Sequence, residues 1–404
     1  MRPVLKPGLR RLWRDGSTLQ LGVDPSRALV LPEVTPAHAT ALAALDGSRT
    51  HARLAQDEDP ATVALVHLLG EAGLLDDATA DGPDGLEAPG GPGRDLTGAD
   101  RTGAREAALP PLSATERDRL RPDLAALSLA TADPNGARRV LARRRLARVS
   151  VQGAGRVGAQ VATLLAAAGV GHVVVDDAGL TGPADVAPGG LGLDDVGRPR
   201  AVATMAALAR VARPSVLTGA AAPFRPDLLV LAPVGLPVLR PDESLGLERR
   251  AVPHLLAGVR ETTGVVGPLV VPGLTACLHC QHLHRFAADA AWPLLALQLA
   301  RRAEPGPDAC EVTLATLVGA LAAAQALAFL DAGPAIAGRF AGPGAAAPGS
   351  GEAVGRPVPA TADGTLEIAT PDWRIRRRTW PLHPDCPCRA ARSATAPPAS
   401  ATTE

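Results

Sequence analysis

Tyrosine is absent from this 404-residue chain, Phe and Trp number four each, and Lys6 is the only lysine. Chemistry that needs a lysine elsewhere must use arginine, which does not give up its proton. Excess charge of either sign is also missing, since the formal net charge is zero at pH 7. That composition points to no nucleic-acid partner and no anionic membrane surface. Residues 1–14 are basic but lack the apolar core of an export signal, so the expected location is cytoplasmic. In a reducing compartment the five cysteines are not expected to form disulfides. Long apolar runs are scarce. The one near membrane-spanning length is Val312–Leu330, and Thr313, Thr316 and Gln325 interrupt it. It reads as a buried core or subunit-interface helix, with no membrane span. The dominance of Ala, Arg, Gly and Pro reads as a coding bias, not a function.

What is present is organised around Arg148–Asp177, RVSVQGAGRVGAQVATLLAAAGVGHVVVDD. A short apolar strand leads into Gly153-x-Gly155-x-x-Gly158, then an Ala/Leu-rich helix, then a second strand ending in Asp176 and Asp177. This context is the one a dinucleotide-binding βαβ unit demands. The helix N-terminus offers free N–H groups to an anion. The same unit can also keep its shape and bind nothing.

Before this unit, residues 1–78 carry strand candidates at Thr18–Gly22 and Ala28–Pro32, joined by a turn, and helical patterns at Ala37–Leu45, Arg49–Ala55 and Ala61–Leu75. Strands and three helices in so short a span suggest a small winged-helix-like α+β module. Its exposed strand edge suits β-augmentation by a peptide, although a ligand-free packing appendage has the same pattern. Residues 79–110 are Gly-, Pro- and Asp-rich and read as a disordered linker. Ser113 and Glu116 form a capping-box signature. The basic run Ala137–Ala147 reads as a solvated helix face, or as a source of arginine for phosphates.

After Asp177 a Gly/Pro-rich loop precedes a helix at Arg200–Val211. Strands follow at Ser215–Leu217 and Asp227–Leu231, which predicts a mostly parallel, doubly wound α/β sheet. Leu255–Val271 reads as an antiparallel strand pair. Thr365–Ile368 and Trp373–Thr379 read as a closing pair, 331–364 as a surface loop and 390–404 as a disordered tail. Cys277-x-x-Cys280 and Cys386-x-Cys388 supply four thiolates in two short clusters, the pattern of a structural zinc site with no open position. Nearby His279, His282, His284 and His383 read as local surface histidines or partners that orient the ligands, with replacement of a ligand as the alternative. Cys310 is left over.

The order of these features, with Val196-Gly-Arg-Pro-Arg200 and the helix from Cys310 to Leu330, resembles the ThiF/MoeB family related to ubiquitin-activating enzyme, over roughly residues 111–389. The resemblance implies a Rossmann-like, zinc-bearing homodimer that uses ATP and Mg²⁺ to adenylate the C-terminal carboxylate of a small protein or peptide. The family's ribose-binding Asp falls on Asp177, or on Asp176 with a one-residue gap. Its lysine falls on Arg200, and its metal-binding Asp on about Val234. Its loop Asn and Arg fall near Asp185 and Ala187-Pro188, where no Arg stands. The cofactor set implied is therefore Gly153, Gly155, Gly158, Asp176, Asp177 and Arg200, with most of the ATP chemistry replaced. That pattern is similar to the ThiF-like partner proteins of azoline peptide biosynthesis. The resemblance implies leader-peptide capture by the N-terminal module, near Leu19–Gly22 or Ala28–Leu31. It also implies presentation of the precursor to a YcaO-type cyclodehydratase. The alternative is an active adenylyltransferase, in which Cys310 accepts sulfur or a thioester.

Overall fold

The structure is a computed structural model and describes residues 1–57, 60–81, 111–212, 225–300, 308–333 and 358–388. Residues 82–110 of the stretch read above as linker, the strand expected at 215–217, most of the 331–364 loop and the tail lie outside the described residues, whereas 79–81 belong to a 3-10 helix, Ala78–Asp81. Two compact units account for the rest. One takes in residues 1–81 and 111–143, the other residues 144–388.

The first unit is α+β. Strands β1 (Pro3–Leu5) and β5 (Leu75–Asp77) pair antiparallel. Strands β2 (Arg11–Trp13), β3 (Leu19–Leu21) and β4 (Leu29–Leu31) form a separate antiparallel sheet in that order. Helices α1 (Pro36–Ala44), α2 (His51–Asp57) and α3 (Pro60–Glu71) complete it. Alternation sends Leu19 and Leu21 into a core with Leu31, Leu42, Leu54 and Leu69, while Leu12 and Val30 stay exposed. Helix α4 (Ala114–Leu129) opens on the expected capping box, with Ser113 Oγ accepting from the Glu116 N–H at 3.3 Å. Both α4 and the start of α5 (Gly136–Leu146) pack with this unit, so the second unit begins later than residue 111.

The chain's one lysine explains part of that packing. Lys6 is buried and donates to the carbonyls of Ser128, at 2.7 Å, and Thr131. It places a cation at the carboxyl end of α4, where the helix dipole is negative.

The second unit holds a seven-stranded sheet of order β12-β11-β10-β9-β8-β6-β7. Its parallel half is β7 (His172–Asp176), β6 (Arg148–Gln152), β8 (Leu228–Leu231) and β9 (His254–Arg260). Strands β10 (Thr263–Val270), β11 (Gly364–Ala369) and β12 (Arg374–Thr379) extend it antiparallel, as the hairpin patterns predict. Helices α6 (Gly158–Ala167) and α7 (Arg200–Val211) cross between the parallel strands, and α8 (Pro241–Arg250) leads into β9. Helices α9 (Leu278–Ala288) and α10 (Trp292–Leu299) precede α11 (Val312–Ala332).

Helix α11 is long and apolar enough to cross a membrane by length and composition. Here its Leu314, Val318, Ala322 and Phe329 are fully buried in the core shared with α6, β9 and β10. That is the core-helix reading of the run. The basic helix α5 is not wholly solvated. Arg144 is buried and forks Asp331 at the end of α11 with two 2.7 Å bonds, and it also donates to the Ala168 carbonyl.

Candidate functional site

Strand β6 has β7 on one side and β8 on the other, so the chain changes direction at its carboxyl end. Ligands of open α/β sheets bind at such a point. The loop Gly153–Gly158 occupies it. Gly153 has φ +90, and a Cβ there would meet the Ala232 carbonyl. A Cβ on Gly158 would meet the Gly153 carbonyl, so both glycines are required by backbone contact alone.

The third glycine faces side chains. A Cβ on Gly155 would lie 3.1 Å from a Val234 methyl and 3.4 Å from Asp185 Oδ1. Asp177 lies behind the loop. It accepts from the Ala154 N–H at 2.8 Å, from Gly179 N–H at 2.7 Å and from Arg200 Nε at 3.0 Å. Arg200 extends across to Asp185 at 3.3 Å and to the Leu180 carbonyl at 3.0 Å. Burial pushes the Asp177 carboxyl up, but the Arg200 hydrogen bond and the loop N–H groups outweigh it and hold it below the usual range. Burial would lower the Arg200 pKa, and Asp177 and Asp185 outweigh that and raise it. Asp176 ends β7 with an exposed side chain.

Asp308 is a neighbour that sequence spacing does not point to. Its carboxylate lies 3.2 Å from where a Cβ on Gly235 would stand. Cys310 is half-buried nearby, and Arg156 donates to its carbonyl at 2.7 Å. Burial, with Asp308 and Glu311, pushes the Cys310 thiol up, and Arg156 opposes without winning. The thiolate is thus disfavoured in this environment.

The four remaining cysteines meet as one buried cluster. Their sulfurs all lie within 4.8 Å of one another, with 3.8 Å between Cys277 and Cys280 and 3.5 Å for both Cys277–Cys386 and Cys280–Cys388. A tetrahedral ion with bonds of about 2.3 Å holds its sulfurs about 3.8 Å apart, so the cluster could hold a metal ion. Cys277 caps α9, Cys280 sits in its first turn, and the other pair follows β12, so an ion there would clip two distant chain segments together. The His383 N–H points at the Cys280 sulfur at 3.4 Å. Neither His282, bonded to Trp292 Nε1, nor His284, beside the Pro381 carbonyl, is among the clustered ligands.

In the first unit the structure separates the two candidate clamp strands. Leu19–Leu21 is the central strand, paired with β2 on one side and β4 on the other. It has no free edge, so it cannot be the strand that a peptide extends. Ala28–Leu31 contains the edge strand β4, and β2 forms the other edge.

Residues 129–228 match the ThiF family. No curated protein matches. Among solved structures, E. coli MccB with MccA-N7isoASN aligns with a TM-score of 0.62 at 14% identity, covering 96% of this chain and 99% of that one. The microcin C7 biosynthetic enzyme MccB in complex with N-formylated MccA gives the same score and identity, with 96% and 100% covered. PaaA aligns with a TM-score of 0.56 at 16% identity, covering 93% and 99%. The chain thus carries a ThiF-family segment at residues 129–228 and has the fold of the MccB and PaaA structures.

Proposed function

We propose that this protein is a peptide-binding scaffold of ThiF fold that presents a precursor peptide to a YcaO-type cyclodehydratase, and that its own adenylation centre is degenerate. The observation that carries the reading is the state of the glycine-loop site. Arg200 is engaged by Asp177 and Asp185, Arg156 in the loop donates to the Cys310 carbonyl, and the apolar Val234 stands where a metal-binding carboxylate is expected. Transition-state charge on a phosphate needs free cations aimed at it. The donors around this loop do not fit ATP and Mg²⁺ in that role, and we derive no step through them.

Peptide binding is supported from a second direction. The MccB structures similar to this chain include complexes with the peptide MccA. In the first unit, β4 offers an open edge whose main-chain groups can pair with an extended leader segment. The four-cysteine cluster is assigned to a structural zinc ion, which would hold the α9 start against the segment after β12. The working form is a cytoplasmic homodimer.

A second reading, an active adenylyltransferase acting on a carrier peptide, is favoured by one fact. MccB with ATP aligns over 96% of this chain with a TM-score of 0.59. The scaffold reading is tested by titrating the full chain against the labelled leader of a precursor peptide encoded beside its gene. Saturable binding at micromolar concentration is expected, and none at that concentration contradicts it.

A further inference from the structure

Strand β12 has no part in either site. It ends the seven-stranded sheet, all six of its residues are exposed, and four of them are arginine. Charge on an edge strand blunts unwanted pairing, which accounts for arginines there as a class. It does not account for how they are held.

Alternation puts Arg376 and Arg378 on one face of β12. Arg376 is in register with Glu367 and Arg378 with Thr365. Arg260, at the end of β9, is close enough to contribute to the same field, and α9 adds Arg285. Two tryptophans hold Arg285 and Arg378 in place. The Arg285 guanidinium lies 4.6 Å from the Trp292 ring centre and 5.5 Å from that of Trp380, and Arg378 lies 4.3 Å from Trp380. Trp380 is itself buried and fixed, with Nε1 donating to Thr365 Oγ1 at 3.2 Å. Cation–π contacts thus hold these two like charges near each other around Trp380.

Among the described residues, none of Arg260, Arg285, Arg376 and Arg378 forms an ion pair, whereas the neighbouring Arg374 has Asp372 at 3.5 Å. Burial, then Arg260 and Arg378, push the Arg285 pKa down to about 10, and Glu367 only partly opposes them. The cluster therefore carries more positive charge than Glu367 offsets.

We infer that β12 and the Arg260–Arg285–Arg376–Arg378 cluster form a docking edge for an extended acidic peptide segment, whose backbone pairs with β12 and whose carboxylates meet the guanidinium groups. A polypeptide fits better than a nucleic acid for two reasons. The outer side of an edge strand presents N–H and C=O groups in the spacing of another strand. The chain as a whole has no net charge to gather a polyanion.

The test is fluorescence anisotropy of the full chain with a labelled peptide of alternating Glu and Thr. Saturable binding that weakens with added salt is expected. Arg376→Glu with Arg378→Glu is expected to weaken it about tenfold or more. Arg376→Glu alone should weaken it in the same direction, and thermal unfolding checks that each variant is folded. A peptide of alternating Glu and Pro keeps the charge but loses half its N–H donors, and is also expected to bind about tenfold more weakly. Absence of saturable binding, equal binding by the folded variants, equal binding of the proline peptide, or tighter binding of a single-stranded oligonucleotide would each overturn the inference.

Discussion

Arg200 and Asp177 lie 23 positions apart and meet behind the glycine loop, Nε to Oδ1 at 3.0 Å and Nε to Oδ2 at 3.1 Å. Both side chains are nearly buried. The pair therefore shapes the loop whether or not a ligand enters it. Removing one member of a buried ion pair leaves the other charge uncompensated, at a cost of about 3 kcal/mol. Asp177→Asn is expected to destabilise the second unit by that order, with Asp185 retaining part of the interaction. Urea unfolding measures it. Asp177→Asn combined with Arg200→Leu should cost less than the sum of the two single changes.

Lys6 gives a prediction for the first unit. Lys6→Met keeps the length of the side chain but removes the ammonium that the Ser128 and Thr131 carbonyls accept from, so a loss of about 2 kcal/mol is expected. Because Lys6 is buried, amine acylation of the folded chain should modify the N-terminus and spare Lys6. Mass spectrometry after a short acylation reads this directly. Rapid modification at Lys6 would contradict its placement.

The cysteine cluster predicts bound metal at about one ion per chain, identified by elemental analysis as zinc. Cys277→Ser should abolish it, and a strong chelator should lower the thermal midpoint of the wild-type chain but not of the variant. Full retention of metal in Cys277→Ser contradicts the ligand assignment.

His254 sets the expected acid response. It is fully buried in β9, and its Nδ1 faces the Val252 carbonyl at 2.9 Å. Burial first, offset in part by that carbonyl, pushes its pKa down to about 4 from 6.5. The unfolded chain thus takes up a proton at His254 at a higher pH than the folded one. Its contribution is fully present above pH 6.5 and falls away as the pH drops towards 4, by up to about 3 kcal/mol. His254→Gln should flatten the stability profile across that window, as measured by urea midpoints at a series of pH values. An unchanged slope would rule out this residue as its source.

Elements with a period or a motif were legible in the sequence, and single contacts were not. The Gly153 loop, α7 and the β9–β10 pair follow from glycine spacing and apolar runs, which act locally. The three-residue strands β1, β2 and β5 are too short for alternation to register, and they exist because a partner strand completes them. The buried role of Arg144 depends on Asp331, 187 positions away, so the run ARRVLARRRLA looks solvated when read alone. The two candidate clamp strands look equivalent in sequence, and only the sheet order makes one of them central. Asp308 comes to Gly235, beside Val234, through the path of the chain before α11, which no spacing encodes. The cysteine clusters were readable because thiolate ligands come in short pairs, whatever the distance between pairs.

ATP–pyrophosphate exchange by the purified full chain, with Mg²⁺ and the precursor peptide present, bears most directly on the claim that this ThiF-fold protein holds peptide without activating it. Exchange no higher than in a protein-free control is expected, because Arg200 is engaged and Val234 offers no carboxylate to a metal. Robust exchange that depends on the peptide and disappears in Asp177→Asn would contradict it.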